Sequence, residues 1–111
     1  MRSYAIDELD HEDVRRFKTS LGRLGLAGPI EDIYWLMLPE ELFTPEQREH
    51  APECGPYFLS LETGDTWLKL ELLVRCRNRI RCQCIKYATP EQRNHAIDRL
   101  DQLLRNRDIP V

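Results

Sequence analysis

The sequence predicts an α+β fold in which two amphipathic helices flank a run of β-strands. Apolar residues recur at helical spacing after Asp10 and again after Thr89, whereas the stretch between Tyr57 and Tyr87 alternates apolar and polar residues. The chain has 111 residues, a length that suits one domain with one hydrophobic core. We therefore expect residues 1–111 to form a single domain, a two-layer sandwich with both long helices on one face of a four-stranded, mainly antiparallel sheet.

The first helix begins after Asp10, whose side chain can cap it, and acidic residues in its first turn favour the helix dipole. Its apolar stripe consists of Val14, Phe17, Leu21 and Leu24. Gly25 and the pair Gly28-Pro29 end the helix. The segment Ile30–Leu38 then predicts a strand with apolar residues on both faces, which indicates a strand covered on both sides or a dimer contact.

Two segments carry the same helix-start signal. Thr44-Pro45-Glu46-Gln47 predicts a capping box and a helix of about two turns, which Pro52 ends. Thr89-Pro90-Glu91-Gln92 predicts the start of the last helix, which frays near Arg107. The octets 44–51 and 89–96 differ at one position, and we interpret them as convergent use of one cap chemistry.

Three strands follow the short helix as a meander, so the predicted order is α-β-short α-β-β-β-α. The strands are Tyr57–Glu62, Thr66–Cys76 and a last strand that runs to Tyr87. A two-residue turn at Gly64-Asp65 predicts Leu61 opposite Leu68 and Leu59 opposite Leu70. A three-residue loop at Arg77-Asn78-Arg79 predicts these further pairs: Cys76 with Ile80, Val74 with Cys82, and Leu72 with Cys84.

Charge and hydropathy limit the functional classes. The formal net charge is -3 and the pI is about 5.6, which argues against a strongly basic nucleic-acid-binding domain. The first residues contain no apolar signal-peptide core, and the apolar runs are too short to cross a bilayer. We expect a soluble cytoplasmic protein, and the small chain without targeting signals suits a bacterium.

The cysteines allow three interpretations. Cys54, Cys76, Cys82 and Cys84, with His50, are soft or borderline ligands for zinc, but two cysteines flanking one residue in a strand lie ~7 Å apart. Cys54 with His50 could make a thiolate nucleophile, although no third group orients the pair. The favoured interpretation is that the strand cysteines are reduced apolar core residues, with no metal and no cofactor.

Four alternating arginines are the most unusual surface feature. They are Arg75, Arg77, Arg79 and Arg81, and the alternation places the first and last on the outer sheet face with the other two at the hairpin tip. Trp67 and Tyr87 are expected near them. Such a surface suits a protein interface or single-stranded nucleic acid, or it keeps an edge hairpin from aggregating.

The sequence contains no motif that defines a reaction. It has no glycine-rich phosphate loop and no recognisable Ser–His–Asp arrangement, so no catalytic residue is assigned. We expect a non-enzymatic interaction or regulatory module, homodimeric or bound to another protein through the arginine hairpin and the outer sheet face. A nucleic-acid-binding module through the same hairpin and a thiol or zinc protein are the alternatives.

Overall fold

The computed structural model, which describes residues 2–110, contains three α-helices and six strands. The helices are α1 (His11–Arg23), α2 (Pro45–Cys54) and α3 (Pro90–Arg105), with a 3-10 helix at Glu40–Leu42. The strands are β1 (Ser3–Ile6), β2 (Ile33–Met37), β3 (Tyr57–Thr63), β4 (Leu68–Glu71), β5 (Leu73–Cys76) and β6 (Lys86–Tyr87). The predicted α+β class is confirmed. Among the described residues, no helix combines the length and the apolar character needed to cross a membrane.

Strand β3 lies at the centre of an antiparallel sheet. It pairs with β2 along one edge and with β4 and β5 along the other, while β1 pairs with β4 and β6 pairs with β5. The prediction of four strands is wrong for two reasons. The segment Ser3–Ile6 adds a strand, and the predicted strand Thr66–Cys76 divides at Leu72 into β4 and β5.

The β3–β4 register differs from the prediction by two residues. Leu61 lies opposite Leu70, not Leu68, because residues 64–67 connect the strands where a two-residue turn was expected. The indole of Trp67 packs so closely on Gly64 that any Cβ at this position would overlap it. A shift of two residues keeps the same side chains on the inner face, so the predicted alternation survives the register error.

The second predicted hairpin is wrong. Val74 pairs with Lys86 and Leu73 with Tyr87, so neither Cys82 nor Cys84 lies in a strand. Residues 77–85 instead form a loop without regular secondary structure, which we call the arginine loop. Alternation predicts which face a strand residue takes, but it does not show where pairing stops.

One hydrophobic cluster joins the long helices to the inner face of the sheet. Its fully buried members include Phe17 and Leu21 of α1, Leu100 and Leu104 of α3, and Leu59, Leu61, Leu68 and Leu70 of the sheet. The outer edge of β2 is partly occupied by the preceding segment, because Trp35 N donates to Leu26 O and Gly28 N donates to Ile33 O. The arrangement in two layers stays a prediction.

The two capping boxes predicted from the sequence form, and they contact each other. Thr44 and Thr89 each accept from the third residue of their helix, and the side chains of Gln47 and Gln92 accept in return. Gln92 Nε2 donates to Gln47 Oε1 (2.9 Å) and to Leu42 O (2.8 Å). Both glutamines are buried. The pair therefore links the start of α3 to the start of α2.

Replacing Gln92 by leucine should lower the free energy of unfolding by about 1–3 kcal/mol, because Leu42 O and the α3 cap lose buried hydrogen bonds. Urea unfolding followed by circular dichroism measures this change. Gln102→Leu on the exposed face of α3 is the control and should change the free energy by less than about 0.5 kcal/mol. Equal effects of the two substitutions would contradict a special role of the buried pair.

Candidate metal centre and arginine loop

Helix α2 places one histidine and one cysteine on the same side. His50 and Cys54 are four residues apart, a spacing that brings side chains together on a helix surface. Pro52, expected to end the helix, lies within it, and α2 continues to Cys54. The hydroxyl of the buried Tyr57 donates to Gln47 O (2.7 Å), which holds α2 against β3.

One side-chain and two backbone hydrogen bonds hold the start of the arginine loop against the end of α2. Asn78 Nδ2 donates to Gly55 O (2.5 Å), Asn78 N donates to Cys54 O (3.2 Å), and Arg77 N donates to Pro56 O (3.0 Å). A Cβ at Gly55 would lie 2.9 Å from Ala51 O, so glycine permits this tight exit from the helix. These contacts bring the loop cysteines beside Cys54.

Four potential ligand atoms converge between α2 and the loop. The atoms belong to His50, Cys54, Cys82 and Cys84, and all lie within 4.8 Å of one another; we call this set the thiol cluster. Cys82 Sγ lies 3.2 Å from His50 Nδ1 and 3.5 Å from Cys54 Sγ. Ile85 N donates to Cys82 O (3.1 Å), so the chain turns here and the two loop sulfurs approach each other.

The cluster makes its cysteines chemically unequal. The backbone amide of Cys84, followed by the thiol of Cys84, donates to Cys82 Sγ and lowers the pKa of Cys82 to about 6. Burial, followed by a hydrogen bond to Cys82, raises the pKa of Cys54 to about 11. Burial likewise raises the pKa of Cys76. Cys82 and His50 are half-buried, whereas Cys54 and Cys84 are buried, so the cluster lies just beneath the surface.

The donor set fits a tetrahedral zinc ion. Ligand atoms roughly 2.1–2.3 Å from one zinc lie about 3.5–4 Å from each other, so adjustments of about 1 Å, shortening the widest separation and slightly lengthening the 3.2 Å one, would complete the site. Three thiolates and one imidazole form one of the usual structural zinc sets, and the absence of carboxylates from the cluster disfavours magnesium and calcium. Cys76 Sγ lies 3.3 Å from Cys84 Sγ and supplies a fifth sulfur outside the cluster.

The structure places the four arginines in two environments, and only Arg81 departs from its predicted position. Arg75 lies on the outer face of β5 and forms a two-pronged ion pair with Glu71 (2.7 and 3.2 Å). Arg77, Arg79 and Arg81 lie in the arginine loop and are exposed. Arg81 was expected on the outer face of a strand and is not in one. Arg79 lies 3.5 Å from the exposed carboxylate of Glu53.

Of the two aromatic residues expected beside the arginines, Tyr87 lies diagonally across from Arg75, because Leu73 pairs with Tyr87, and Trp67 lies in another connection. Trp67 packs on Gly64 in the connection between β3 and β4, whereas the arginine loop follows β5. Tyr87 lies in β6, with the guanidinium of Arg2 4.8 Å from its ring centre. Ile80, which sequence reasoning placed in a strand, is 89% exposed between Arg79 and Arg81.

The outer sheet face carries an aromatic pair that the sequence analysis did not single out. Trp35 and Phe58 stack with ring centres 3.9 Å apart and planes at 16°. They line a groove of about 490 Å³ with Ile33, Lys69 and Arg75. Met37 of β2 pairs with Phe58 of β3, and this register places Trp35 diagonally beside Phe58. The sequence alone does not predict the contact, because it depends on the register between two strands that are distant in the chain.

Comparisons of the chain with family models, with curated proteins and with solved structures found no significant match. Functional inference therefore depends on the geometry of the thiol cluster and of the arginine loop.

In metal-free protein under reducing conditions, Cys82 should be alkylated by iodoacetamide before the other cysteines. It is the half-buried cysteine, and its lowered pKa of about 6 leaves it mainly thiolate at neutral pH. Mass spectrometry of timed digests identifies the labelled residue, and Cys82→Ser should remove the fast phase. Equal labelling of Cys54, whose pKa is raised to about 11, would contradict the described environment.

Proposed function

We propose that this protein is a zinc-binding, non-enzymatic interaction module. The convergence of His50, Cys54, Cys82 and Cys84 within 4.8 Å carries the proposal. Two ligands come from a capped helix and two come from a loop that is distant in sequence. Zinc bound there would join α2 to the arginine loop, and the metal–ligand bonds would restrain a segment that has no strand hydrogen bonds of its own.

The ligand count supports a structural role for the metal. A zinc ion held by four protein side chains has no open position for substrate or activated water, which catalytic zinc requires. A cytoplasmic location is part of the proposal, because a reducing compartment keeps the four thiols available for metal. Under oxidising conditions the close sulfur pairs would favour disulfides over metal ligation.

The metal would present the arginine loop to an acidic partner. Arg77, Arg79 and Arg81 are exposed, and Ile80 lies exposed among them. Arginine combined with an apolar side chain is typical of interface anchors. A restrained loop also loses less conformational entropy when it binds than a flexible one does. The proposed partner is a protein with acidic groups around an apolar pocket; a second copy of this chain belongs to the same class.

Protein expressed and purified without chelator should contain about one zinc ion per chain, measured by mass spectrometry of the metal. Cys82→Ser with Cys84→Ser should abolish this content, because half of the ligands are lost. Cys76→Ala is the matched control and should retain zinc, since Cys76 lies outside the cluster. Loss of zinc from Cys76→Ala with retention in His50→Ala would contradict this ligand set, and zinc-free wild type would contradict the site.

Removing the metal with a chelator should increase amide hydrogen exchange in residues 77–85 while β3 stays protected. The loop would lose its attachment to α2, but the hydrophobic cluster would remain. The melting temperature should fall by about 4–8 °C for each kcal/mol of stabilisation lost. Unchanged exchange in the loop would contradict a restraining role of the metal and show that the hydrogen bonds of Asn78 suffice without it.

Arg77→Glu with Arg79→Glu should leave the fold and the zinc content unchanged but weaken partner binding, because both side chains are exposed. Affinity capture from the native source compares this variant with wild type and with Arg93→Glu with Arg99→Glu on the exposed face of α3. A protein lost in the loop variant alone supports the proposal. Nucleic acid lost instead, with affinity falling steeply with salt, would support the nucleic-acid alternative.

A further inference from the structure

A second cluster of positive charge lies far along the chain from the arginine loop. Arg16 and Arg23 of α1 and Arg107 after α3 line a depression of about 250 Å³ together with Thr19 and Ser20. The four α1 residues are spaced at three and four positions and share one face of the helix. Among residues 2–110, Asp13 is the one carboxylate paired with any of the three arginines.

Hydrogen bonds to neighbouring groups position two of the three guanidinium groups. Arg107 Nε donates to the hydroxyl of the buried Ser20 (2.9 Å). Arg16 donates to Arg107 O (3.1 Å) and to Asp13 (2.8 Å). No such hydrogen bond within the described chain involves the terminal nitrogens of Arg107 or the guanidinium of Arg23, so these donors stay available to a ligand.

Helix capping does not account for this positive charge. The last carbonyls of α1 already accept backbone amides, because Leu24 N donates to Ser20 O and Leu26 N donates to Leu21 O. At the end of α3, Arg107 N and Ile109 N both donate to Leu104 O. The arginine side chains are therefore not needed to satisfy these last carbonyls. Arg23, in the last turn of α1, also favours the negative end of the helix dipole, and the free guanidinium donors that line the depression suit an anion.

We propose that Arg16, Arg23, Arg107 and Ser20 form a binding site for a phosphoryl group, either inorganic phosphate or a small phosphate monoester. Three guanidinium charges minus the paired Asp13 leave a net charge of about +2, which matches a phosphate of about −1.5 to −2 at neutral pH. Guanidinium groups bind phosphate oxygens through paired hydrogen bonds. This site is independent of the zinc centre, so either can fail without the other.

The test uses the full chain with its metal content unaltered. Amide NMR spectra and calorimetry follow titration with inorganic phosphate and, separately, with glycerol phosphate, at constant ionic strength. Saturable shifts at Arg16, Ser20, Arg23 and Arg107 support the site. Tighter binding of the monoester identifies an organic phosphate as the ligand class, and equal or weaker binding identifies phosphate itself. The same shifts with matched chloride would overturn the proposal.

Arg23→Gln is the decisive variant, because the Arg23 side chain makes no hydrogen bond to any of residues 2–110 and its loss should not disturb the fold. It should weaken phosphate binding about tenfold, as expected for the loss of one charge-assisted contact. Arg99→Gln, an exposed arginine of α3 outside the depression, makes the same charge change and should leave affinity unchanged. Equal affinities of wild type and Arg23→Gln would overturn the site.

Discussion

Hydrogen bonding along both edges of β3 positions the remaining elements. This strand supplies partners to β2, β4 and β5, and its inner residues Leu59 and Leu61 lie in the hydrophobic cluster that α1 and α3 share. Its first residue, Tyr57, pairs with Cys76 and donates to Gln47 of α2. One strand thus places the helix that bears His50 and Cys54 and the strand that leads into the arginine loop.

The thiol cluster depends on that placement because its members come from separate parts of the chain. The α2 residues approach the loop only because Cys54 lies where the chain leaves the helix towards β3. The loop residues approach the helix because β5 ends at Cys76, opposite the first residue of β3. Burial raises the pKa of Cys54 and Cys76, while hydrogen-bond donors around Cys82 lower its pKa, so Cys82 is the most readily ionised of the three thiols.

Sequence reasoning succeeded for elements that local chemistry determines. The α1 cap at Asp10 and both capping boxes lie where residue type and spacing placed them, since the donors and acceptors of a cap are at most three residues apart. It failed where distant partners decide. Strand β1 was missed because its four residues gain their strand conformation by pairing with β4.

The cysteines also show that local sequence patterns do not predict contacts between distant segments. Cys82 and Cys84 were expected in an extended strand, where the sulfurs would be too far apart for one metal. The early end of β5 leaves them in a turn, and the contacts of Asn78 with α2 bring that turn beside His50. Spacing therefore identified the candidate ligands but not their convergence.

The sequence by itself determined the α+β class, the starts of the three α-helices and the inward-facing residues of β3 and β4, because caps and alternation act between neighbours in the chain. The tertiary structure alone decided the register of β3 against β4, the length of the arginine loop and the meeting of the four ligand residues. These features depend on pairing and packing between segments up to about thirty residues apart. The alternation of apolar and polar residues is the same in several strand registers, so it does not select the one that forms.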